Sequence, residues 1–348
     1  MERPRFVIEA AEAESMAQKS GLTVLQLLPT LVKSAQTLAR PPISKFHVGA
    51  VGLGSSGRIF LGGNVEFPGL PLHQSIHAEQ FLITNLILNA EPRLQHLAVS
   101  AAPCGHCRQF LQELRNTSDI NICITSINSN ERKYHPLSHL LPDRFGPNDL
   151  LDKDVPLLLE THQNGMSFNL CNGQIPETEN PKERLKYAAL EAANKSHAPY
   201  SKCPSGVAIM DCEGNIYKGS YMESAAYNPS LGPVQAALVA YLAAGGSGGG
   251  GGGYERIVAA ALVEKEDAVV RQEHAARLLL QRISQWQPHL KQSRTTKYLW
   301  NGWFNDVKFS GSSRYYGKGT REVNGSVLLQ QSRFQLQAGQ CVKMSCNH

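Results

Sequence analysis

The chain has 348 residues, of which 42% are apolar, a size and composition typical of a globular protein with two ordinary domains. The net charge of +5 comes from one segment, because residues 287–348 hold nine Lys/Arg against two Asp/Glu while the remainder holds 25 against 27. The body of the chain therefore has no basic surplus for nucleic acid, and no apolar run reaches the roughly 18 residues of a membrane span.

The chain begins with MERPRFVIEAAEAESMA, an acidic segment without the apolar core of a signal peptide. The eight cysteines show no regular spacing. We therefore expect reduced thiols, no membrane partner and a cytosolic setting.

In chain order, the first half alternates predicted helices and strands. The first helix, 23–39, is predicted to break or kink near Pro29. The elements that follow are strands near 46–53 and 58–63 joined by a GSSG turn, a helix over 77–89, a strand over 96–102, a helix over 104–115 and a strand over 120–126. This alternation predicts a layered α/β domain.

The second half repeats the first. Segments 44–67 and 201–224 align without a gap, and a helix over 181–196 precedes the second segment. Seven identical pairs lie at a constant offset of 157 residues: Ser44/Ser201, Lys45/Lys202, Gly49/Gly206, Gly57/Gly214, Ile59/Ile216, Gly62/Gly219 and Glu66/Glu223. The repeat predicts duplication of one fold unit, and two copies make a tandem pair of domains rather than a solenoid.

These patterns predict four parts of the chain. They are a catalytic domain with an N-terminal helical part over 1–126, a connection over 127–180, a second domain over 181–286 and an atypical basic tail over 287–348. Within the connection, 140–151 is expected to be ordered, and the glycine-rich 245–253 is interpreted as a flexible insertion. Two hypotheses account for the tail: an alternative reading of the gene, or a nucleic-acid-binding extension.

The stretch PCGHC places Cys104 and Cys107 three residues apart. This spacing occurs in structural zinc sites, in redox dithiols and in catalytic metal sites. A closed structural site needs a second close pair of ligands, and this domain has none. A thioredoxin-like dithiol remains the competing interpretation, although it leaves the motif HAE at 77–79 without a role.

A catalytic metal site accounts for both motifs. His77 and the two cysteines lie at the starts of two predicted helices, whose N-termini converge if both helices pack on one sheet face. Three protein ligands leave a fourth position open, as in catalytic zinc sites. Glu79, two residues beyond His77, is then placed to move a proton.

The motifs GGNVEF, IHAEQF and PCGHCRQFLQEL together resemble the cytidine deaminases that act on free nucleosides. The two-copy layout resembles the homodimeric type of plants and enteric bacteria, and the motifs are closest to the plant enzymes. The resemblance covers about residues 1–285. It implies tandem three-layer α/β/α domains, each with a central mixed sheet. It also implies one zinc per protomer held by His77, Cys104 and Cys107, a proton shuttle at Glu79, and substrate binding by Asn64, Val65, Glu66 and Phe46.

The implied activity is zinc-dependent hydrolysis of cytidine and 2′-deoxycytidine to uridine and 2′-deoxyuridine, with release of ammonia, in pyrimidine salvage. The implied assembly is a homodimer, and Phe145 is hypothesised to reach the pocket of the partner. Two alternatives stay open: a deaminase acting on cytosine in RNA or DNA, and a non-catalytic zinc-bearing homologue.

The second copy has lost the proposed catalytic residues. At the offset of 157, His77 and Glu79 correspond to Val234 and Ala236. With an offset of 169 after the glycine insertion, Cys104 and Cys107 correspond to Glu273 and Ala276. We therefore expect a structural role for this copy. His106, between the two cysteines, is expected to be solvated and without a role.

Overall fold

The computed structural model describes residues 5–126, 133–168, 180–246, 253–283 and 298–300. The first copy contains the following elements: β1 Val7–Ile8, α1 Ala10–Ser20, α2 Val24–Thr37, β2 Gly49–Gly54, β3 Ile59–Gly63, α3 Ala78–Leu88, β4 Leu94–Val99, α4 Gly105–Phe110 and β5 Asn121–Ile124. A short 3-10 helix, Leu111–Glu113, continues α4, so the predicted helix over 104–115 changes its winding after Phe110. The strand β1 and helix α1 were not predicted from the sequence.

The sheet of the first copy is mixed and is covered by helices on both faces. Among the described residues its strand order is β1-β3-β2-β4-β5-β6, where β6 is Tyr134–Pro136. β4 and β5 run parallel, and the other neighbouring pairs run antiparallel. Successive residues of β4 point to opposite faces: Leu97 packs in the core with α3, and Ala98 packs in the core with α1 and α2. The predicted fold class is confirmed.

Helix α2 continues through Pro29, so the predicted break is absent, and the alternative of a kink stays a prediction. Proline has no amide hydrogen for the carbonyl four residues earlier, which here belongs to Leu25. The Tyr134 hydroxyl of β6 donates to this carbonyl at 3.1 Å. A tertiary hydrogen bond thus replaces the missing helical one, and Thr23 closes the start of the helix with a capping box.

The segment between the copies is partly regular. It adds β6 to the edge of the first sheet, followed by two short helices, α5 Leu137–Leu140 and α6 Pro147–Leu150. The segment 140–151 was expected to be ordered. Helix α6 lies within it, and α5 ends at its first residue. Residues 127–132 and 169–179 lie outside the described residues. The boundaries of the four predicted parts stay a prediction.

The second copy contains α7 Pro181–Asn194, β7 Ser205–Asp211, β8 Ile216–Ser220, α8 Pro233–Ala243, β9 Ile257–Glu264, α9 Glu273–Ile283 and β10 Tyr298–Trp300. Its described strands have the order β10-β9-β7-β8 and all pair antiparallel. β10 runs opposite to β9, whereas β5 runs parallel to the corresponding β4. The predicted mixed character is therefore seen in the first sheet, and the described part of the second sheet is antiparallel. Most of the predicted tail, like the glycine segment 247–252, lies outside the described residues.

The backbone confirms the internal repeat. Lys45 and Lys202 both adopt positive φ angles, of 60° and 58°. Gly57 and Gly214, in the two hairpin turns, have φ angles of 83° and 84°. These pairs lie at the offset of 157 found in the sequence.

The offset changes before the next helix. Val65 bridges to Ile76 in the first copy, and its counterpart Met222 bridges to Leu231 in the second. The connecting loop is thus two residues shorter in the second copy, and His77 corresponds to Gly232 rather than to Val234. By the same correction, Glu79 corresponds to Val234 rather than to Ala236, so the second copy still lacks both residues.

The two copies pack on each other within one compact unit, Met1–Gly311. Helices α3 and α8, apolar around most of their circumference, lie in contact, and their buried side chains share one hydrophobic core. None of the described helices has the length and hydropathy needed to cross a bilayer.

Candidate active site and metal centre

His77 is held at the start of α3 by its neighbours on both sides. Its backbone is extended, with φ −77° and ψ 154°, and the first helical residue follows it. The preceding residue, Ile76, exchanges two backbone hydrogen bonds of 2.8 Å with Val65. The side chain of Gln80 accepts from the His77 amide at 3.3 Å. The ligand ring therefore leaves the chain at a fixed strand-to-helix junction.

The two cysteines lie at the start of α4, between the parallel strands β4 and β5. Cys104 is the N-cap residue, and Cys107 lies one turn later on the same side of the helix. Arg108 secures this turn, because its Nε donates to the carbonyl of Pro103 at 2.7 Å and its Nη1 to that of Leu140 at 2.9 Å. Both sulfur atoms thus face the end of the sheet where α3 begins.

The three predicted metal ligands converge. The Nδ1 atom of His77 lies 3.4 Å from the Cys104 sulfur and 3.3 Å from the Cys107 sulfur. The three ligand atoms lie within 4.8 Å of one another, the one such group of three among the described residues. Tetrahedral zinc with bonds of about 2.1 Å to nitrogen and about 2.3 Å to sulfur needs a nitrogen–sulfur separation of about 3.6 Å. Both nitrogen–sulfur separations fit zinc with shifts of a few tenths of an ångström.

The electrostatics of the cluster favour a divalent cation. Hydrogen bonds from Cys107 and His77 lower the pKa of Cys104 to about 3, so this sulfur is a thiolate at neutral pH. The contact with Cys104, together with burial, raises the pKa of Cys107 well above its usual value. The two sulfurs therefore compete for one negative charge, and a cation between them stabilises both as thiolates.

Glu79 lies directly beside the cluster and away from solvent. Its side chain is buried, with 4% of the residue exposed. The Cys107 thiol donates to its Oε2 atom at 3.2 Å. Burial raises the pKa of this carboxyl, which is how a carboxyl group becomes able to accept and return a proton near neutral pH.

The four predicted substrate-binding residues lie on the segments that lead to His77. The side chain of Asn64 makes two hydrogen bonds to the backbone. Its Oδ1 accepts from the Val48 amide at 2.9 Å, and its Nδ2 donates to the Phe46 carbonyl at 3.0 Å. Val65 is buried and connects to His77 through its bridge with Ile76.

Glu66 accepts from the amides of Ile43 and Ser44, both at 2.9 Å, and from the Ser44 hydroxyl at 2.5 Å. Phe46 is 60% exposed. Asn64 and Glu66 thus shape the loop from residue 43 to residue 48, on which Phe46 is presented.

The structure corrects the expectation for His106. Its ring stacks on the ring of His77, with centroids 4.8 Å apart and an interplanar angle of 23°. Burial lowers its pKa, so it packs as a neutral ring against the ligand rather than as a solvated side chain. The sequence around His106, in the first turn of a helix and next to Cys107, carries no signal that predicts this stacking.

Two further residues on the segments that carry the predicted ligands were not singled out from the sequence. Gln80 accepts from the His77 amide, and Glu113 ends the helical segment that starts at Cys104. The capping-box spacing from His77 to Gln80 is the signal that was available for the former. Nothing in the spacing of Glu113 distinguishes it from a surface glutamate of a helix.

A His–Cys–Cys cluster beside a buried carboxylate, at the N-termini of two helices on one sheet face, defines a zinc-dependent deaminase centre. The family models agree. Two models, both described as "Cytidine and deoxycytidylate deaminase zinc-binding region", match the chain over residues 23–124 and 137–277.

The chain is also similar to two plant proteins and, over about a third of its length, to a solved structure. Cytidine deaminase 1 of Arabidopsis thaliana is 62% identical over 82% of this chain and 96% of its own length. Cytidine deaminase 6 of the same plant is 52% identical over 66% of this chain and 80% of its own length. A crystal structure of cytidine deaminase from Mycobacterium tuberculosis is 32% identical over 34% of this chain and 95% of that chain, with a TM-score of 0.30.

The chain belongs to the cytidine and deoxycytidylate deaminase family. It is accordingly a hydrolase with a small-molecule substrate, and its cofactor is zinc.

Proposed function

We propose that the chain hydrolyses cytidine and 2′-deoxycytidine to uridine and 2′-deoxyuridine and releases ammonia, as a step of pyrimidine salvage in the cytosol. One observation carries the proposal. The ligand atoms of His77, Cys104 and Cys107 gather within 4.8 Å, and the buried Glu79 carboxylate lies 3.2 Å from the Cys107 sulfur. Each protomer would hold one zinc ion through these three residues.

When bound, zinc lowers the pKa of a water molecule towards neutrality. Glu79 is the only one of these four residues left free to handle protons, because the other three are committed as ligands. Its carboxylate would take the proton from the attacking water and deliver it to N3 of the cytosine ring. As oxygen adds to C4, the ring becomes tetrahedral there. Glu79 would then take the proton of the new C4 hydroxyl and give it to the departing amine, so that the C4–N bond breaks, ammonia leaves and the uracil carbonyl forms.

The sugar would be bound by Asn64 and Glu66. A carboxylate offers about four acceptor positions, and three of those on Glu66 are used by Ile43 and Ser44. The remaining position suits a sugar hydroxyl. Asn64 likewise keeps one amide hydrogen and one acceptor position beyond its two backbone bonds.

Phe46 and Val65 would complete the nucleoside site. The exposed ring of Phe46 offers a face for the pyrimidine, and stacking of a base on an aromatic ring contributes about 1–3 kcal/mol. Val65 would contribute through its backbone position beside Ile76 and His77. Ribose and 2′-deoxyribose differ only at the 2′ position. Both nucleosides would therefore bind if the site needs no contact with the 2′-hydroxyl.

The protein would act as a homodimer, with the second copy in a structural role. Exposed large apolar side chains on the first copy and the connection support this assembly, because such groups are commonly covered in oligomers: Ile43, Leu72, Phe145 and Leu150. Phe145 lies beside α4, since its carbonyl accepts from Gln109 at 2.7 Å, and it would reach the pocket of the partner. Light scattering of the purified chain distinguishes a dimer from a monomer.

A product assay tests the proposed substrate. Purified, zinc-quantified protein is given cytidine, 2′-deoxycytidine or a cytosine-containing oligonucleotide, and ammonia and the deaminated product are measured. Equal amounts of ammonia and uridine from cytidine support the proposal. Deamination of the oligonucleotide with no turnover of either nucleoside would replace it with a nucleic-acid deaminase.

A further inference from the structure

The carboxylate of Glu113 connects the helical segment that carries both cysteines to the second copy. This segment starts at Cys104, runs through α4 and ends with the 3-10 helix Leu111–Glu113. The side chain of Glu113 is fully buried, although carboxylates are almost never fully buried without partners.

All three groups that bind this carboxylate come from the second copy. The Ala225 amide donates to Oε1 at 2.7 Å. The Tyr200 hydroxyl donates to Oε2 at 2.7 Å, and Nε2 of His197 lies 3.2 Å from the same oxygen. Three donors from three positions fix the carboxylate in space much more closely than apolar packing would.

The position of Glu113 bears on the cysteines because one continuous helical segment joins them. Glu113 lies six residues after Cys107, which is about 9 Å along a helix. A helix resists stretching and bending over this distance, since its backbone hydrogen bonds would have to lengthen. A small displacement of Glu113 therefore moves the cysteine end of the segment.

The other ligand-bearing helix has an equivalent connection. The side chain of Gln80 is buried, and its Oε1 accepts from the His77 amide at 3.3 Å. Its Nε2 donates to the carbonyl of Pro229 in the second copy at 2.9 Å. One amide group thus joins the backbone of His77 to the second copy.

We infer that the second copy positions the metal ligands of the first copy, with Glu113 acting on the cysteines and Gln80 acting on His77. Both are positioning residues rather than ligands. The inference rests on the proposed function, because it takes His77, Cys104 and Cys107 as the zinc ligands. It explains why a copy without any of the ligands is joined to both ligand helices through buried polar groups.

Simple adhesion between the copies makes a different prediction. If these bonds only hold the copies together, their loss lowers the melting temperature and leaves zinc and turnover as they were. If they position the ligands, their loss also speeds the release of zinc and lowers kcat, while KM stays near the wild-type value.

The test compares two tyrosine variants in the second copy. Tyr200→Phe removes one hydrogen bond to Glu113. The matched control, Tyr217→Phe, removes a partly buried hydroxyl that donates at 2.8 Å to Asp211 of the same copy. Zinc content of the wild-type protein is measured first. Transfer of zinc to a chromogenic chelator, kcat, KM and the melting temperature are then measured for all three proteins.

We expect Tyr200→Phe to release zinc roughly tenfold faster than wild type and to lose kcat by a similar factor, since the lost bond is to a charged group. Tyr217→Phe should match wild type in both. If Tyr200→Phe does not fold, Glu113→Gln, which keeps the size of the side chain and an acceptor for Ala225, is measured in its place with the same expectation.

The inference is overturned if the variant shows wild-type zinc release and kcat, whatever its melting temperature. It is also overturned if the control releases zinc as fast as the variant. A wild-type protein without zinc would instead refute the proposed function, so the two failures are distinguishable.

Discussion

Replacing Glu79 by glutamine separates the proposed proton-transfer role of this residue from its place in the structure. Glutamine has nearly the same size and can still fill the buried space beside Cys107, but it cannot accept and return a proton. Because Glu79 is 4% exposed, bulk water has little access to take over its role. We expect the variant to fold and to bind zinc through His77, Cys104 and Cys107 as before.

The expected loss of turnover follows from the number of proton transfers that Glu79 performs in the addition step. General acid–base catalysis of one proton transfer contributes typically about 10²–10⁴-fold. Two such transfers, from the attacking water and to N3, set the expected loss at about 10⁴-fold or more, which is about 5.5 kcal/mol of transition-state stabilisation. The fall in absorbance as cytidine becomes uridine measures kcat, and metal analysis confirms the zinc content of the same sample. A zinc-loaded Glu79→Gln protein with turnover within tenfold of wild type would refute the assigned role.

Three further outcomes are expected. His77→Ala removes one of three ligands, so the purified protein should contain well under half of the wild-type zinc by metal analysis; full zinc would exclude His77 as a ligand. Phe46→Ala should raise KM for cytidine roughly tenfold and leave the melting temperature nearly unchanged, because the ring is exposed; a large loss of stability would assign the ring to the core instead. For the carboxyl of Glu91, burial raises the pKa, but hydrogen bonds from Ser56 and Arg58 outweigh this effect and the pKa is lowered. Its stabilisation is therefore present above the pKa of the unfolded chain and is lost as the pH falls through the lowered value. Glu91→Gln should cost about 2 kcal/mol at pH 7 in denaturant unfolding and less at acid pH, and an equal cost at both would contradict this.

The sequence predicts the elements that carry strong periodicity or turn signals. The β2–β3 hairpin, α3 and the internal repeat all follow from such signals, and their boundaries shift by only a few residues. The strand β6 was missed because three residues with a proline carry no strand periodicity. The continuity of α2 through Pro29 depends on a hydrogen bond from Tyr134, which lies about a hundred residues away and is invisible to a local pattern.

The site shows the same division between local and long-range information. The predicted metal ligands and Glu79 come from two short motifs, because the proposed chemistry needs these residue types at these spacings. The internal bonds of Asn64 and Glu66, and the stacking of His106 on His77, depend on side-chain directions in the folded loop. The alignment of His77 with Gly232 required the backbone bridges, since a two-residue deletion in a loop leaves no trace in a gap-free repeat.

The most direct test of the account is the stoichiometry of zinc and of products in the wild-type chain. One sample of full-length protein is analysed for zinc and then given cytidine. We predict one zinc per chain, and one ammonia released for each uridine formed. A protein with one zinc per chain that releases no ammonia from cytidine or 2′-deoxycytidine would contradict the account.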